Sequence, residues 1–185
     1  MLHHRIRRAV SDDLLFLLDL EQQCFPEHRR STRQGLKTSL KSHAQEVYIL
    51  EQIHGSQPNP VGAVVLLKYK RTVRIFSLAL FPQVQGLGLG SKLIQFTMDR
   101  AAAKGFERVS LEADSANSRL IQWYQHAGFH RIEHLPDYYA PGEDAFRMAK
   151  KVQAAEDMAL PDDLLVQELP NGWTGSMGGT DNMQI

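Results

Sequence analysis

The stretch Gln85-Gly86-Leu87-Gly88-Leu89-Gly90 sets three glycines at alternate positions, behind the apolar run Ile75–Phe81 and ahead of an amphipathic one. A strand, a glycine loop and a helix in that order can hold phosphate. Glycines reach left-handed dihedrals and let backbone approach a ligand closely. Amides at a helix N-terminus, helped by its dipole, then bind phosphate oxygens. Two other phosphate loops do not fit. Gly86-Leu87-Gly88 begins a G-x-G-x-x-G match, but position 91 is serine, and Gly90-Ser91-Lys92 lacks the Walker Gly-Lys-Ser/Thr order. On the loop alone, a ligand-free strand-to-helix turn stays open. A second stretch holds Glu112, Asn117 and Tyr124. A positioned carboxylate can take a proton from an amine and a phenol can donate one. Equally, Glu112 reads as a solvated strand end, Asn117 as a helix cap and Tyr124 as an ordinary helix tyrosine.

Other reactive types read more plainly. The lone Cys24 is expected as a buried small hydrophobe. His126, His130 and His134 are divided between a predicted helix and strand, and His3-His4 is an exposed terminus, so no metal site is expected. Arg29, Arg30 and Arg33 read as a solvated helix start.

The elements that must position these residues follow from pattern. Arg5–Val10 predicts a strand. Ser11 caps a helix with Asp12 and Asp13 in its first turn and Leu14, Leu17 and Leu18 on its apolar face, ended by Pro26. Ser31 or Thr32 caps a second helix through about Ser42. Glu46–Ile53, Val61–Tyr69 and Thr72–Phe81 read as strands, the first two joined by the turn-forming run His54–Pro60. Ser91–Lys104 is a helix with Leu93, Ile94 and Met98 inward, followed by Gly105. Arg108–Ala113 is a strand, Asn117–Ala127 a helix, and Phe129–His134 and Asp144–Met148 two strands joined by a loop over Leu135–Glu143. The order β-α-α-β-β-β-α-β-α-β-β is a mixed α/β domain, helices alternating against a central sheet.

At 185 residues, one domain with an appendage is expected. Lys plus Arg and Asp plus Glu are both 21, and 43% of residues are hydrophobic. That excludes wholesale disorder and argues against a dedicated nucleic-acid binder. The balance is uneven along the chain. Residues 1–151 hold all 21 basic and 15 of the 21 acidic side chains, a formal +6; residues 152–185 hold Glu156, Asp157, Asp162, Asp163, Glu168 and Asp181 with no Lys or Arg, a formal −6. The tail therefore reads as a separate acidic segment, partly disordered, with Leu164, Leu165, Val166 and Leu169 forming one short docking helix against a basic surface such as Arg29, Arg30 and Arg33. One cysteine cannot form an intrachain disulfide, and no apolar run approaches the roughly 18 residues of a membrane helix. A cytoplasmic protein, with no membrane partner, is expected.

Three motifs in order and spacing resemble one family. The loop fits Gln/Arg-x-x-Gly-x-Gly/Ala at Gln85, Gly88 and Gly90. Leu111-Glu112-Ala113-Asp114 leads to Asn117 and then to Trp123-Tyr124-Gln125-His126-Ala127-Gly128-Phe129. Asp137-Tyr138-Tyr139 runs on to Gly142-Glu143-Asp144-Ala145-Phe146-Arg147-Met148. Over roughly residues 5–150 the chain resembles the GCN5-related N-acetyltransferase (GNAT) superfamily, and within it the ribosomal-protein alanine N-acetyltransferases. The resemblance implies the acyl-CoA N-acyltransferase fold, a mixed, mostly antiparallel sheet flanked by helices. It implies acetyl transfer from acetyl-CoA to an amine by direct attack in a ternary complex, with a protein or peptide N-terminal amine as acceptor and a monomer or homodimer as the working form. By position, it implies that Leu78, Ala79 and Leu80 pair with the pantetheine arm, that Gln85, Gly86, Leu87, Gly88, Leu89 and Gly90 hold the pyrophosphate, and that Asn117 contacts the cofactor. Glu112 becomes the general base and Tyr124 the acid that protonates the thiolate. Phe81 before Pro82, Asp114 after Glu112-Ala113 and Leu120 in the helix depart from the family pattern. Asp114 favours a cationic acceptor, such as a basic peptide or a polyamine. A small-molecule amine, polyamine or aminoglycoside-like, is the alternative acceptor; a CoA-binding sensor without catalysis is another.

Overall fold

A computed structural model describes residues 2–153 and 167–169. Its elements are β1 (Leu2–Arg8), α1 (Leu14–Cys24), α2 (Arg33–Lys41), β2 (Gln45–His54), β3 (Gln57–Lys68), β4 (Thr72–Leu80), α3 (Leu89–Ala103), β5 (Arg108–Asp114), α4 (Ser118–His126), β6 (His130–Ala140), β7 (Glu143–Lys151) and β8 (Gln167–Leu169). Eight strands form one sheet in the order β6-β7-β5-β4-β3-β2-β1-β8. Every pairing is antiparallel except β4 with β5, whose connection returns through the crossover helix α3.

Local chemistry explains the helix ends. Thr32 caps α2 by accepting from the Gly35 amide at 3.0 Å, and Asn117 caps α4 by accepting from Leu120 N–H at 3.0 Å. The apolar faces bury as the spacing requires: Leu17, Leu20 and Cys24 from α1, Leu93, Ile94, Met98 and Ala101 from α3, and Leu120, Ile121 and Tyr124 from α4.

Three expectations are corrected. The Leu135–Glu143 loop is mostly strand, since β6 reaches Ala140 and pairs it with Glu143. A register shift between Leu135 and Ala140 absorbs the irregular residues. There Asp137 takes φ 52°, its amide donates to Asp144 at 2.9 Å, and its carboxylate accepts from the Gly142 amide. The turn run His54–Pro60 is narrower than expected. Gln57 to Pro60 pair with β2, and the register slips between Leu50 and Glu51, beside Pro60, whose missing N–H is tolerated at such an irregularity. Leu169 lies in a strand paired with β1 and not in a docking helix; Leu164, Leu165 and Val166 lie outside the described residues.

Candidate active site

The parallel ladder between β4 and β5 runs only from Thr72–Arg108 to Ile75–Leu111. Beyond it β4 stays with β3 through Leu80 and β5 stays with β7 through Asp114. Phe76 is skipped by the β3 ladder, which passes from Ile75 to Ser77; such a bulge bends a strand and increases its twist. The two strands therefore part, and the backbone of Leu78, Ala79 and Leu80 borders the gap on its β4 side. Their side chains are buried, so only main chain is offered there. The Leu80 carbonyl is already used: it accepts from Cys24 Sγ at 3.2 Å and from Gln85 Nε2 at 2.9 Å.

The glycine loop lies between the end of β4 and α3. Gly86 and Gly88 both take φ +75°. A Cβ on Gly88 would meet nothing within 4 Å, so this glycine is needed for its dihedral and not for space. The first intrahelical bond of α3 runs from Lys92 N–H to the Gly88 carbonyl at 3.3 Å, which leaves the Leu89, Gly90 and Ser91 amides at the positive end of the helix. Leu87 projects outward while Leu89 is core. Gln85 ties the loop to β4 through its side chain.

Glu112 is 3% exposed. Its Oε2 accepts from Arg74 Nε at 2.6 Å and its Oε1 from Arg147 Nε at 2.9 Å. Arg147 faces it across the β5–β7 ladder; Arg74 comes from β4 and also donates to the Tyr138 hydroxyl. Two guanidiniums make this buried carboxylate tolerable, and of the roughly four acceptor positions of a carboxylate they use two. The Tyr139 hydroxyl donates to the Glu112 carbonyl at 3.3 Å.

Tyr124 on α4 is fully buried, and among the described residues its Oη is a buried side-chain oxygen with no hydrogen-bond partner. Its ring lies between Trp123 and Phe129, at 4.7 Å and 5.7 Å between centroids. Burial, then the nearby Tyr139 phenol, push its pKa well above the usual tyrosine value, so it stays a proton-bearing donor. A native structure seldom buries an unpaired hydroxyl without a use for it. A CoA thioester sulfur would supply that partner, and the free α3 amides suit its pyrophosphate; the residues present fit the group.

Arg29 is not a solvated helix start. Its guanidinium donates to Asp114 and to Glu143, each at 2.9 Å, and lies 4.0 Å from the Tyr139 ring centroid. Arg30 donates to the carbonyls of Phe25 and Gln22. Asp114 is thereby consumed internally, accepting from Arg29 and from the Ala116 amide; the carboxylate that favoured a cationic acceptor already has its cation. Sequence reasoning missed Arg74, Arg147 and Arg29 as site residues. The first two approach Glu112 only through strand pairing, for which no local signal exists.

The Acetyltransferase (GNAT) family model matches residues 14–129. An N-alpha-acetyltransferase of Sulfurisphaera tokodaii is 36% identical over 157 residues, 79% of this chain and 92% of that protein. The ribosomal-protein-S18-alanine N-acetyltransferase of Escherichia coli superposes with a TM-score of 0.72 at 20% identity, over 84% of this chain and 98% of that one. The spermidine N-acetyltransferase of Vibrio cholerae, solved with CoA and spermine, superposes with a TM-score of 0.67 at 18% identity, over 80% of this chain and 95% of that one.

Proposed function

The chain belongs to the acetyltransferase (GNAT) family, and from that premise we propose that it moves the acetyl group of acetyl-CoA to the α-amine of a protein or peptide N-terminus. The observation that carries the mechanism is the buried hydroxyl of Tyr124, which has no hydrogen-bond partner among the described residues; the amides at the start of α3 and the carboxylate of Glu112 on β5 supply the other groups the reaction needs.

The acceptor amine must reach the thioester carbon without its proton. Glu112 takes that proton, through water, on the acceptor positions its two arginines leave. The amine lone pair forms the C–N bond and the C–S bond breaks; the nitrogen sheds its extra proton and the departing sulfur takes one up, so the products are the N-acetyl amide and the free CoA thiol. Tyr124 faces the departing sulfur. Its raised pKa makes it a strong holder of its proton, so it acts first as a hydrogen-bond donor to the growing thiolate, which an electrostatic donor stabilises without reorganisation. Asn117, occupied as a helix cap, contributes its side-chain amide to the cofactor side. The α3 amides and the Gly86–Gly90 backbone hold the pyrophosphate. The working form we propose is monomeric or homodimeric and cytoplasmic.

The peptide acceptor is favoured over a polyamine by two observations: the 36% identical relative is an N-alpha-acetyltransferase, and Asp114 is already paired. The test is thiol release from acetyl-CoA with purified full chain against N-terminal peptides, spermidine and an aminoglycoside. Turnover is expected on free α-amine peptides and lost when their N-termini are blocked. Equal or better turnover on spermidine would replace the acceptor; CoA binding with no turnover on any amine would leave the sensor reading.

A further inference from the structure

Between α1 and α2 the chain makes one tight turn, over Glu27–Arg29, in which the Arg29 amide donates to the Pro26 carbonyl at 2.9 Å. The turn is fixed to its own flanks. Arg30 donates to the Phe25 carbonyl at 2.7 Å, and the Glu21 carboxylate accepts from the Ser31 amide at 2.7 Å. None of these bonds uses the Arg29 side chain, which crosses instead to the other wall of the site. Its Nη1 donates to Asp114, at the end of β5, at 2.9 Å, and its Nε to Glu143, at the start of β7, at 2.9 Å. The guanidinium carbon lies 4.0 Å from the ring centroid of Tyr139 on β6.

Two carboxylates and an aromatic face are the groups that recognise an organic cation. The Arg29 side chain is 15% exposed among them, so it fills the place they make. That place adjoins the proposed chemistry. Asp114 is two residues beyond Glu112 in the β5–β7 ladder, so the two project from one face of β5, about 7 Å apart along the strand. The Tyr139 hydroxyl donates to the Glu112 carbonyl at 3.3 Å, and its phenol is near enough to Tyr124 to help raise the pKa of that hydroxyl. An amine delivered to Glu112 therefore brings the rest of its molecule within a side chain's length of Arg29. A second positive charge on that molecule meets a guanidinium already seated on the groups that would bind it, and like charges repel. An uncharged side chain there meets no such penalty.

We propose that Arg29 is a specificity-determining residue: its guanidinium occupies, in cis, the subsite where Asp114, Glu143 and Tyr139 would take a second cation of the acceptor, and so excludes polyamines and peptides with Lys or Arg in their first two positions. The inference rests on the reading of Glu112 as the group that receives the acceptor amine, and it narrows that reading to amines with no second cation nearby. Without the Arg29 side chain the Tyr139 ring is uncovered and both carboxylates lose the guanidinium they share. His28 remains on Glu143 at 3.0 Å and the Ala116 amide on Asp114 at 2.9 Å. Arg29→Ala thus opens the subsite to the cations that the original chain refuses.

The test compares the original full chain, Arg29→Ala, and Arg29→Ala combined with Asp114→Asn and Glu143→Gln. Calorimetry with agmatine, which joins a primary amine to a guanidinium, reads the subsite without turnover. Affinity should rise about tenfold or more in Arg29→Ala, the scale on which like charge rejects a partner, and the rise should vanish in the combined variant. No rise, or a rise that survives the combined variant, overturns the proposal. Thiol release from acetyl-CoA gives a second readout. The kcat/KM for a peptide with Lys second, relative to the same peptide with Gln second, should be low in the original chain and should rise about tenfold in Arg29→Ala. An unchanged ratio overturns the proposal, as does equal turnover of the two peptides by the original chain, a result that needs no variant. An agmatine gain of the expected kind, with no turnover on any amine in either protein, supports the subsite and counts against acetyl transfer instead.

Discussion

Tyr124 shows how one atom separates a structural from a catalytic role. A core tyrosine would pair its hydroxyl; this one is buried and has no partner among the described residues. Tyr124→Phe removes the only polar atom and keeps the ring between Trp123 and Phe129. A fall in kcat of about 10²-fold, the size of a lost preorganised donor, is expected with the acetyl-CoA Kd near its original value; equilibrium binding beside steady-state rates checks both. Unchanged kcat would remove Tyr124 from the mechanism. Cys24 is the opposite case, a reactive type with nothing to do. Its thiol is 1% exposed, and burial, then Glu21, push its pKa from 9.0 up to about 12. The folded state thus holds a thiol proton that the unfolded state releases first. Stability from this group is complete below pH 9 and is lost as pH rises toward 12, at about 1.4 kcal/mol per unit. Denaturant titrations across that range should show a shallower alkaline slope for Cys24→Ala than for the original chain, whatever the mutation does to stability at neutral pH.

At the scale of elements, the site is an interruption: two parallel strands pair for four positions and then part. Close packing behind β4 fixes the gap. A Cβ on Gly62 of β3 would lie 2.3 Å from Leu80 Cδ2 and 2.8 Å from the Ala79 carbonyl oxygen. The side chain could turn away, but the backbone oxygen could not without moving β4. Gly62→Ala is therefore expected to weaken acetyl-CoA binding, read as a raised Kd by calorimetry, although residue 62 lies on β3, on the side of β4 away from the gap. Gly88→Ala has room but must hold φ near +75°, at about 1–2 kcal/mol. It should raise the KM for acetyl-CoA more than it lowers kcat, because the role we propose for the loop is to hold pyrophosphate, away from the reacting atoms. The helices and most strands were readable from period and caps, since those signals are local. The two strands of the β6–β7 hairpin were readable but its full length was not, because its extension past Leu135 depends on cross-strand pairing between Ala140 and Glu143, and its Pro136-Asp137 pair reads locally as loop.

For the whole molecule, net zero charge conceals a body of +6 and a tail of −6. A basic body raises the local concentration of an anionic cosubstrate, and salt screens that field. The kcat/KM for acetyl-CoA should therefore fall as ionic strength rises, chiefly through KM; a flat salt profile would mean that the loop amides alone set affinity. The stretch Arg29–Arg33 shows the same dependence on folding. Folding brings Asp114 and Glu143, 85 and 114 residues away in sequence, onto Arg29.

The order of most elements, the glycine loop between a strand and a helix and the cap at Asn117 were legible in the sequence itself, because caps, periodicity and glycine dihedrals act over a few residues; Glu112 and Tyr124 were singled out by the family resemblance. What surrounds those positions was decided only by tertiary structure. The two arginines on Glu112, the buried hydroxyl of Tyr124 and the internal use of Asp114 by Arg29 each depend on which strands lie side by side and in what register. A neutral composition carries no trace of that arrangement, since charges cancel in a sum without regard to where folding puts them.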